Sequence, residues 1–261
     1  MIEAKAITEI SEKEHLGWAV IEKDYFLTLI LEGLSLSKKY FIFKGGTAIR
    51  KAYVHNYRYS EDLDFTLTKF LTSDEIRATI ESTLEYLKIE HNAEFRVNGF
   101  NSKPYFSDIK IQFVGLKGTK NTVTVDCSPN ELIVDEPQER VLFNPYYAKR
   151  ISMPTYTLDE ILAEKLRSMI QRTRVRDFYD VWYLLTKKKN ELDMKKIADI
   201  FHKKVKYKKI EFRGKEQLID KERLEQAKAY YTMQLAHQIR GLLPFDKMSE
   251  ELRKEINALE L

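Results

Sequence analysis

Phe41-Ile42-Phe43-Lys44-Gly45-Gly46-Thr47-Ala48-Ile49-Arg50-Lys51-Ala52 reads as a short apolar strand, a tight turn of two glycines and the start of a helix. Glycine reaches backbone conformations closed to other residues and lets a main chain approach a ligand closely. A helix that opens directly after such a turn presents unpaired N–H groups, which favour an anion such as a triphosphate. Alone, the motif is a weak signal and more often mere turn geometry. Downstream, Tyr59-Ser60-Glu61-Asp62-Leu63-Asp64-Phe65-Thr66-Leu67 alternates apolar and polar residues from Leu63 onward, the pattern of a half-buried strand. Residues two apart on a strand share a face, so Asp62 and Asp64 project together. Two adjacent carboxylates repel unless a cation lies between them. A hard, oxygen-preferring ion such as Mg²⁺, or Mn²⁺ in its place, meets that need and binds substrate phosphates too. The joint pattern points to metal-assisted chemistry on a nucleoside triphosphate. An Asp-x-Asp pair without the turn would read as surface charge.

Working outward, Thr122-Val123-Thr124-Val125-Asp126 is a second alternating strand. With Val123 and Val125 in the core, Thr124 and Asp126 share the opposite side, which makes Asp126 the candidate third carboxylate. The alternative is an aspartate that merely ends a strand before the Ser128-Pro129 turn. Asp108, opening the run Asp108-Ile109-Lys110-Ile111-Gln112-Phe113, is the runner-up. Ser73 to Leu87 has helical spacing behind a Thr72…Glu75 capping box, and Thr157-Leu158-Asp159-Glu160 is a second box. Helices are expected from about Asp177 through Leu185, Lys221 to Ile239 and Lys247 to Leu259. Trp18, Ile21, Tyr25, Phe26 and Leu29 mark an amphipathic N-terminal helix. Strand patterns stop after Pro154. The pattern predicts an α+β chain: a core with a small mixed sheet and its N-terminal helix over residues 1–150, and a helical C-terminal domain over 151–261 completing the cleft.

Basic and acidic residues nearly balance, 44 against 40, so the net charge of +4 permits a nucleic-acid partner without demanding one. Ten lysines lie between Lys187 and Lys209, either a solvated helix face and loop or a surface tracking phosphates. Lys165 and Arg167, followed by Asp177 and Asp180 at helical spacing, fit either a triphosphate clamp or an interhelical salt-bridge network. The single cysteine, Cys127, suits a reducing cytoplasm, and its neighbour Asp126 argues against a reactive thiolate. The five histidines are scattered, so zinc is not indicated. No apolar run reaches the roughly 20 residues of a membrane span. Met1-Ile2-Glu3-Ala4-Lys5 lacks the layout of a secretory signal, which makes a cytoplasmic protein the expectation.

Together, Glu22-Lys23-Asp24, Phe43 to Ala48, Arg58 to Phe65, Glu160 to Leu166 and Arg176-Asp177-Phe178-Tyr179-Asp180 resemble the AbiEii family of nucleotidyltransferase toxins, which includes the MenT-type toxins of type IV toxin–antitoxin systems. The resemblance implies a DNA-polymerase-β-like nucleotidyltransferase core with a helical second domain. It also implies nucleotide transfer, to the tRNA 3′ end in the characterised MenT-type relatives, an antitoxin encoded nearby, and a toxin–antitoxin or phage-defence setting. By position, Asp62 and Asp64 would hold metal, joined by Asp126, the candidate from the strand pattern. Lys44, Gly45, Gly46, Thr47, Arg58 and Ser60 would hold the nucleotide. Lys165 would steady it, with Arg167 as the neighbouring candidate from spacing, and Asp177 or Asp180 would complete the catalytic set. Thr47 stands where the wider superfamily places serine, and the connection from Thr47 to Asp62 is longer than usual. Two rivals remain: a non-catalytic RNA- or antitoxin-binding module, and a metal-dependent phosphodiesterase.

Overall fold

Asp62–Leu67 is strand β2, and a seven-stranded mixed sheet is built around it. The computed structural model describes residues 1–103, 106–129 and 131–261. Helices α1 (Ala4–Glu14) and α2 (Trp18–Ser35) precede strand β1 (Phe41–Lys44). The glycine turn opens α3 (Gly45–Ala48), which continues as a π-helical turn over Ile49–Tyr53. After β2 come α4 (Ser73–His91), β3 (Phe95–Lys103), β4 (Phe106–Val114), β5 (Lys120–Ser128), β6 (Gln138–Leu142) and β7 (Ile151–Thr155). The strand order is β3-β4-β5-β2-β1-β7-β6. β2 runs parallel to β5 and β1 parallel to β7, whereas the other neighbours are antiparallel.

The sheet is larger than the sequence pattern suggested. β3, β6 and β7 went unread; β6 and β7 are short, and Pro154 looked like a strand terminator. Pro154 pairs with Glu139 of β6, and β1 joins β7 only at Phe43↔Thr155, so the missing N–H disturbs little of the ladder. Helix α2 also departs from expectation. Its residues from Tyr25 to Leu34 are buried without a break, so it is a central helix and not an amphipathic one. Phe26 stacks on Phe113 of β4 at 4.0 Å and meets Phe95 of β3 edge-on, which fixes α2 against the sheet. The Thr72 box closes in both directions, with Glu75 N donating to Thr72 Oγ1 at 3.2 Å and Thr72 N to Glu75 Oε2 at 2.7 Å.

Glu32, 1% exposed on α2, accepts from Tyr86, Tyr147, Lys149 and His91 at 2.7–3.0 Å. Burial opposes its charge, but Lys149, Tyr147, His91 and Tyr86 outweigh that and hold the carboxyl at about 2. A depressed folded-state value contributes stability that is present above the ordinary glutamate range and lost as pH falls toward 2. Glu32→Gln should therefore flatten the acid limb of the unfolding profile between about pH 4.5 and 2. Denaturant titrations at a series of pH values check this; an unchanged limb would remove Glu32 from the account.

The chain packs as two units, residues 1–131 with 137–155, and 132–136 with 156–261. The second unit comprises α5 (Leu158–Gln171), α6 (Val175–Lys187), α7 (Met194–Tyr207), α8 (Lys221–Leu235) and α9 (Phe245–Ala258), with short 3₁₀ turns. Helix α7 was hidden in the lysine run, yet Ile197, Ile200, Phe201 and Val205 give it a buried stripe. The Thr157 box is only half formed. Glu160 N donates to Thr157 Oγ1, but the fully buried Glu160 carboxylate accepts from Val134 N and Asp135 N and pairs with Lys204 at 2.7 Å. Among the described residues, no helix is long and apolar enough to cross a membrane.

Candidate functional site

Register decides which carboxylates meet. Along β1–β2, Lys44 faces Asp64; along β2–β5, Asp62 faces Thr124 and Asp64 faces Asp126. Along β5–β4, Asp126 faces Asp108, which in turn faces Asn101 of β3. Directly paired residues share a sheet face, so Lys44, Asp64, Asp126, Asp108 and Asn101 form one row, with Asp62 two residues along the same face. Leu63, Val123, Val125 and Ile109 fill the other face and are fully buried, as the alternation required. Asp126 is thus the direct neighbour of Asp64. Asp108 lies one strand further out, with Oδ2 accepting from Asn101 Nδ2 at 3.1 Å. Like charges directly opposite across strands are unfavourable, and an oxygen-only set suits a hard cation. Among the described residues, no three His, Cys, Asp or Glu side chains are gathered as a ready-made ligand set. What the fold supplies is the shared face.

The glycine turn sits against that row. Gly45 has φ +77°, and a Cβ there would run into the Asp64 carboxylate. A Cβ on Gly46 would run into the Arg58 guanidinium. Gly45 is therefore demanded by its positive φ and its close approach, whereas at Gly46 a Cβ would displace the end of the Arg58 side chain. Thr47 is fully buried, and its hydroxyl donates to the Asp62 carbonyl at 2.5 Å, fastening the start of α3 to the start of β2. Its side chain thus has a structural task that the motif did not reveal. Lys44 is 5% exposed and pairs with Glu131, whose Oε2 also accepts from Thr66 Oγ1 at 3.4 Å. Glu131 had no local signal in the sequence, because only folding brings it to Lys44. Arg58 is buried, and Ser60 is half-buried on the approach to β2. Burial, then the charge of Asp126, pushes the Cys127 thiol up to about 12, against a smaller opposing effect of Lys44. It is no nucleophile.

In the second unit, Lys165 of α5 pairs with Asp177 at 2.8 Å and Asp180 at 2.9 Å, both on α6, and Arg172 pairs with Asp177 at 3.0 Å. Burial raises the Asp177 carboxyl, but Lys165 and Arg172 outweigh it and hold it below the ordinary value. These ion pairs tie α5 to α6. Arg167 is buried and donates to Gln171 and Ser168, both on its own helix. The lysine run is divided. Lys188, Lys189, Lys196, Lys203 and Lys204 pair with carboxylates, and Lys204 is 3% exposed, whereas Lys195, Lys206 and Lys209 are exposed.

A strand, a double-glycine turn and a short helix set against an Asp-x-Asp strand in a mixed sheet define a nucleotidyltransferase-type fold. Solved structures bear this out. MenT4, a nucleotidyltransferase toxin from Mycobacterium tuberculosis, matches with a TM-score of 0.71 over 100% of this chain and 91% of its own, at 15% identity. A crystal structure described as a nucleotidyltransferase from H. pylori matches at 0.61 over 93% of this chain and 95% of its own, at 16% identity. The family profile for "Nucleotidyl transferase AbiEii toxin, Type IV TA system" matches residues 29–251, and the chain belongs to that family. No curated protein matches it in sequence.

Proposed function

We propose that this AbiEii-family chain transfers a nucleotide from a nucleoside triphosphate to an RNA acceptor, the tRNA 3′ end, using Mg²⁺ or Mn²⁺ held by Asp62, Asp64 and Asp126. The register that sets Asp64 beside Asp126, with the Gly45 backbone against Asp64, carries the reading. A bound divalent ion would supply charge stabilisation to the reacting phosphate. The Gly45–Gly46 main chain and the Arg58 guanidinium would hold the triphosphate, with Lys44 adding positive charge. The acceptor hydroxyl oxygen would form a bond to the α-phosphorus in line with the departing pyrophosphate. Its proton would pass to a carboxylate of the Asp64–Asp126 row. Positioning of the two reactants would supply much of the rate. On this reading the protein works in the cytoplasm, restrained by its antitoxin, within a toxin–antitoxin or phage-defence system.

Incubation with Mg²⁺, each labelled nucleoside triphosphate in turn and total tRNA tests the reading. Label entering RNA supports transfer. Shortened RNA would point to phosphodiester hydrolysis, and binding without either to a non-catalytic module.

The divided lysine run yields a further expectation. Since Lys188, Lys189, Lys196, Lys203 and Lys204 already have acidic partners, reversing Lys206 and Lys209 to Glu should change the salt-dependence slope of RNA binding by less than about one. A larger drop, measured by titration across salt concentrations, would make the run a phosphate-tracking surface.

A further inference from the structure

The π-helical turn after the glycines carries two adjacent buried cations, Arg50 at 2% exposure and Lys51 at 0%. Asp24 of α2, fully buried, answers both: Lys51 Nζ donates to Oδ2 at 2.6 Å and Arg50 Nε lies 3.7 Å from Oδ1. Tyr146 donates to the same Oδ2 at 2.6 Å, and Lys51 also reaches Thr28 Oγ1 at 2.9 Å. The far end of Arg50 does something different. Its Nη1 donates at 2.7 Å to the carbonyls of His55 and of Tyr57, and its guanidinium lies on the Tyr59 ring, 3.6 Å from the centroid. Tyr57 and Tyr59 flank Arg58, the residue whose guanidinium covers Gly46. The chain from Val54 to Glu61 has no regular secondary structure of its own.

We propose that Arg50 is a positioning residue for Arg58: it grips the loop on both sides of Arg58 and so sets that guanidinium over the glycine turn, with Asp24 as the anchor. The task needs arginine. A planar fork can meet two carbonyls and an aromatic face at once, whereas a lysine ammonium is a single mobile point charge. A π-helical turn at this place fits the recurrence of such turns at functional sites, because it changes the direction of side chains within a helix. The proposal rests on the reading of Arg58 as a triphosphate contact.

Calorimetric binding of each of the four nucleoside triphosphates with Mg²⁺ tests it in Arg50→Lys, Arg58→Ala and the double variant, alongside amide hydrogen exchange. Arg50→Lys keeps a positive charge beside Asp24, so the fold should survive. The affinity of Arg50→Lys should fall at least about tenfold, approaching that of Arg58→Ala, and the double variant should lose little more than either alone. Amides of residues 54–61 should exchange faster while those of β2 stay protected. If Arg50→Lys does not fold, Tyr59→Leu removes the ring beneath the guanidinium and should lower affinity in the same direction by a smaller factor. Wild-type affinity in Arg50→Lys with lost affinity in Arg58→Ala, or losses that simply add, would overturn the positioning role alone. Wild-type affinity in Arg58→Ala would instead sink the nucleotide reading of Arg58.

Discussion

Asp64→Asn is expected to cut nucleotide transfer by about a thousandfold or more while leaving the metal-free melting temperature close to that of the wild type. The two halves of this expectation have one cause. Asp64 stands directly opposite Asp126 across parallel strands and two residues from Asp62 on the same face. In the absence of a divalent ion the carboxylates repel one another while Lys44, opposite Asp64, attracts, so neutralising Asp64 removes both effects and they largely offset. With a divalent ion bound, the same neutralisation removes a ligand and a full charge. Metal-borne stabilisation of a transferring phosphate is worth several kcal/mol, and each 1.4 kcal/mol is about tenfold in rate. Mg²⁺ should raise the melting temperature of the wild type by mass action and that of Asp64→Asn much less. Rate assays paired with calorimetry, with and without Mg²⁺, read both. An active Asp64→Asn would move the reacting centre elsewhere in the molecule.

The largest stability effect is expected at Asp24, where Asn should destabilise the first unit by about 3–5 kcal/mol. Breaking a buried ion pair costs more than the pair contributes, because the partner charges stay buried without compensation. Here two cations would be stranded, Arg50 and Lys51, at 2% and 0% exposure. Burial pushes the Asp24 carboxyl up, yet Lys51 and Arg50 outweigh it and hold the value below the ordinary one. A depressed folded-state value means a contribution that is complete above about pH 4 and lost as the pH falls further. The wild type should accordingly lose more stability on acidification below about pH 4 than Asp24→Asn, which keeps only the Glu32 contribution. The two tryptophans make the measurement local, since Trp18 belongs to the first unit and Trp182 to the second. Denaturant unfolding followed in a Trp182→Phe background reports the first unit alone. Equal stability of Asp24→Asn and its parent would show that the buried cations find other partners.

Much of the site was legible in the chain because it rests on local rules. The strand parity of Asp62 and Asp64, the double-glycine turn, the Thr72 cap and the core-facing Val123 and Val125 depend only on neighbours within four residues. The family motifs added roles, such as that of Arg58, which spacing alone does not assign. Lys165 shows where the reading ran out. Helical spacing left it between a phosphate clamp and a salt bridge, and only the folded chain shows Asp177 and Asp180 beside it.

What the sequence by itself determined is therefore the strand–turn–helix unit, the shared face of its two aspartates, the caps and the α+β class. Each follows from backbone periodicity and from hydrogen bonds made within a turn. Only the tertiary structure decided that Asp126 and not Asp108 stands next to Asp64, that Glu131 meets Lys44, that Asp24 anchors Arg50, and that β6 and β7 extend the sheet. Those pairings join residues far apart in the chain. Their register is set by how apolar faces fit together in the folded core, and no short-range pattern encodes that fit.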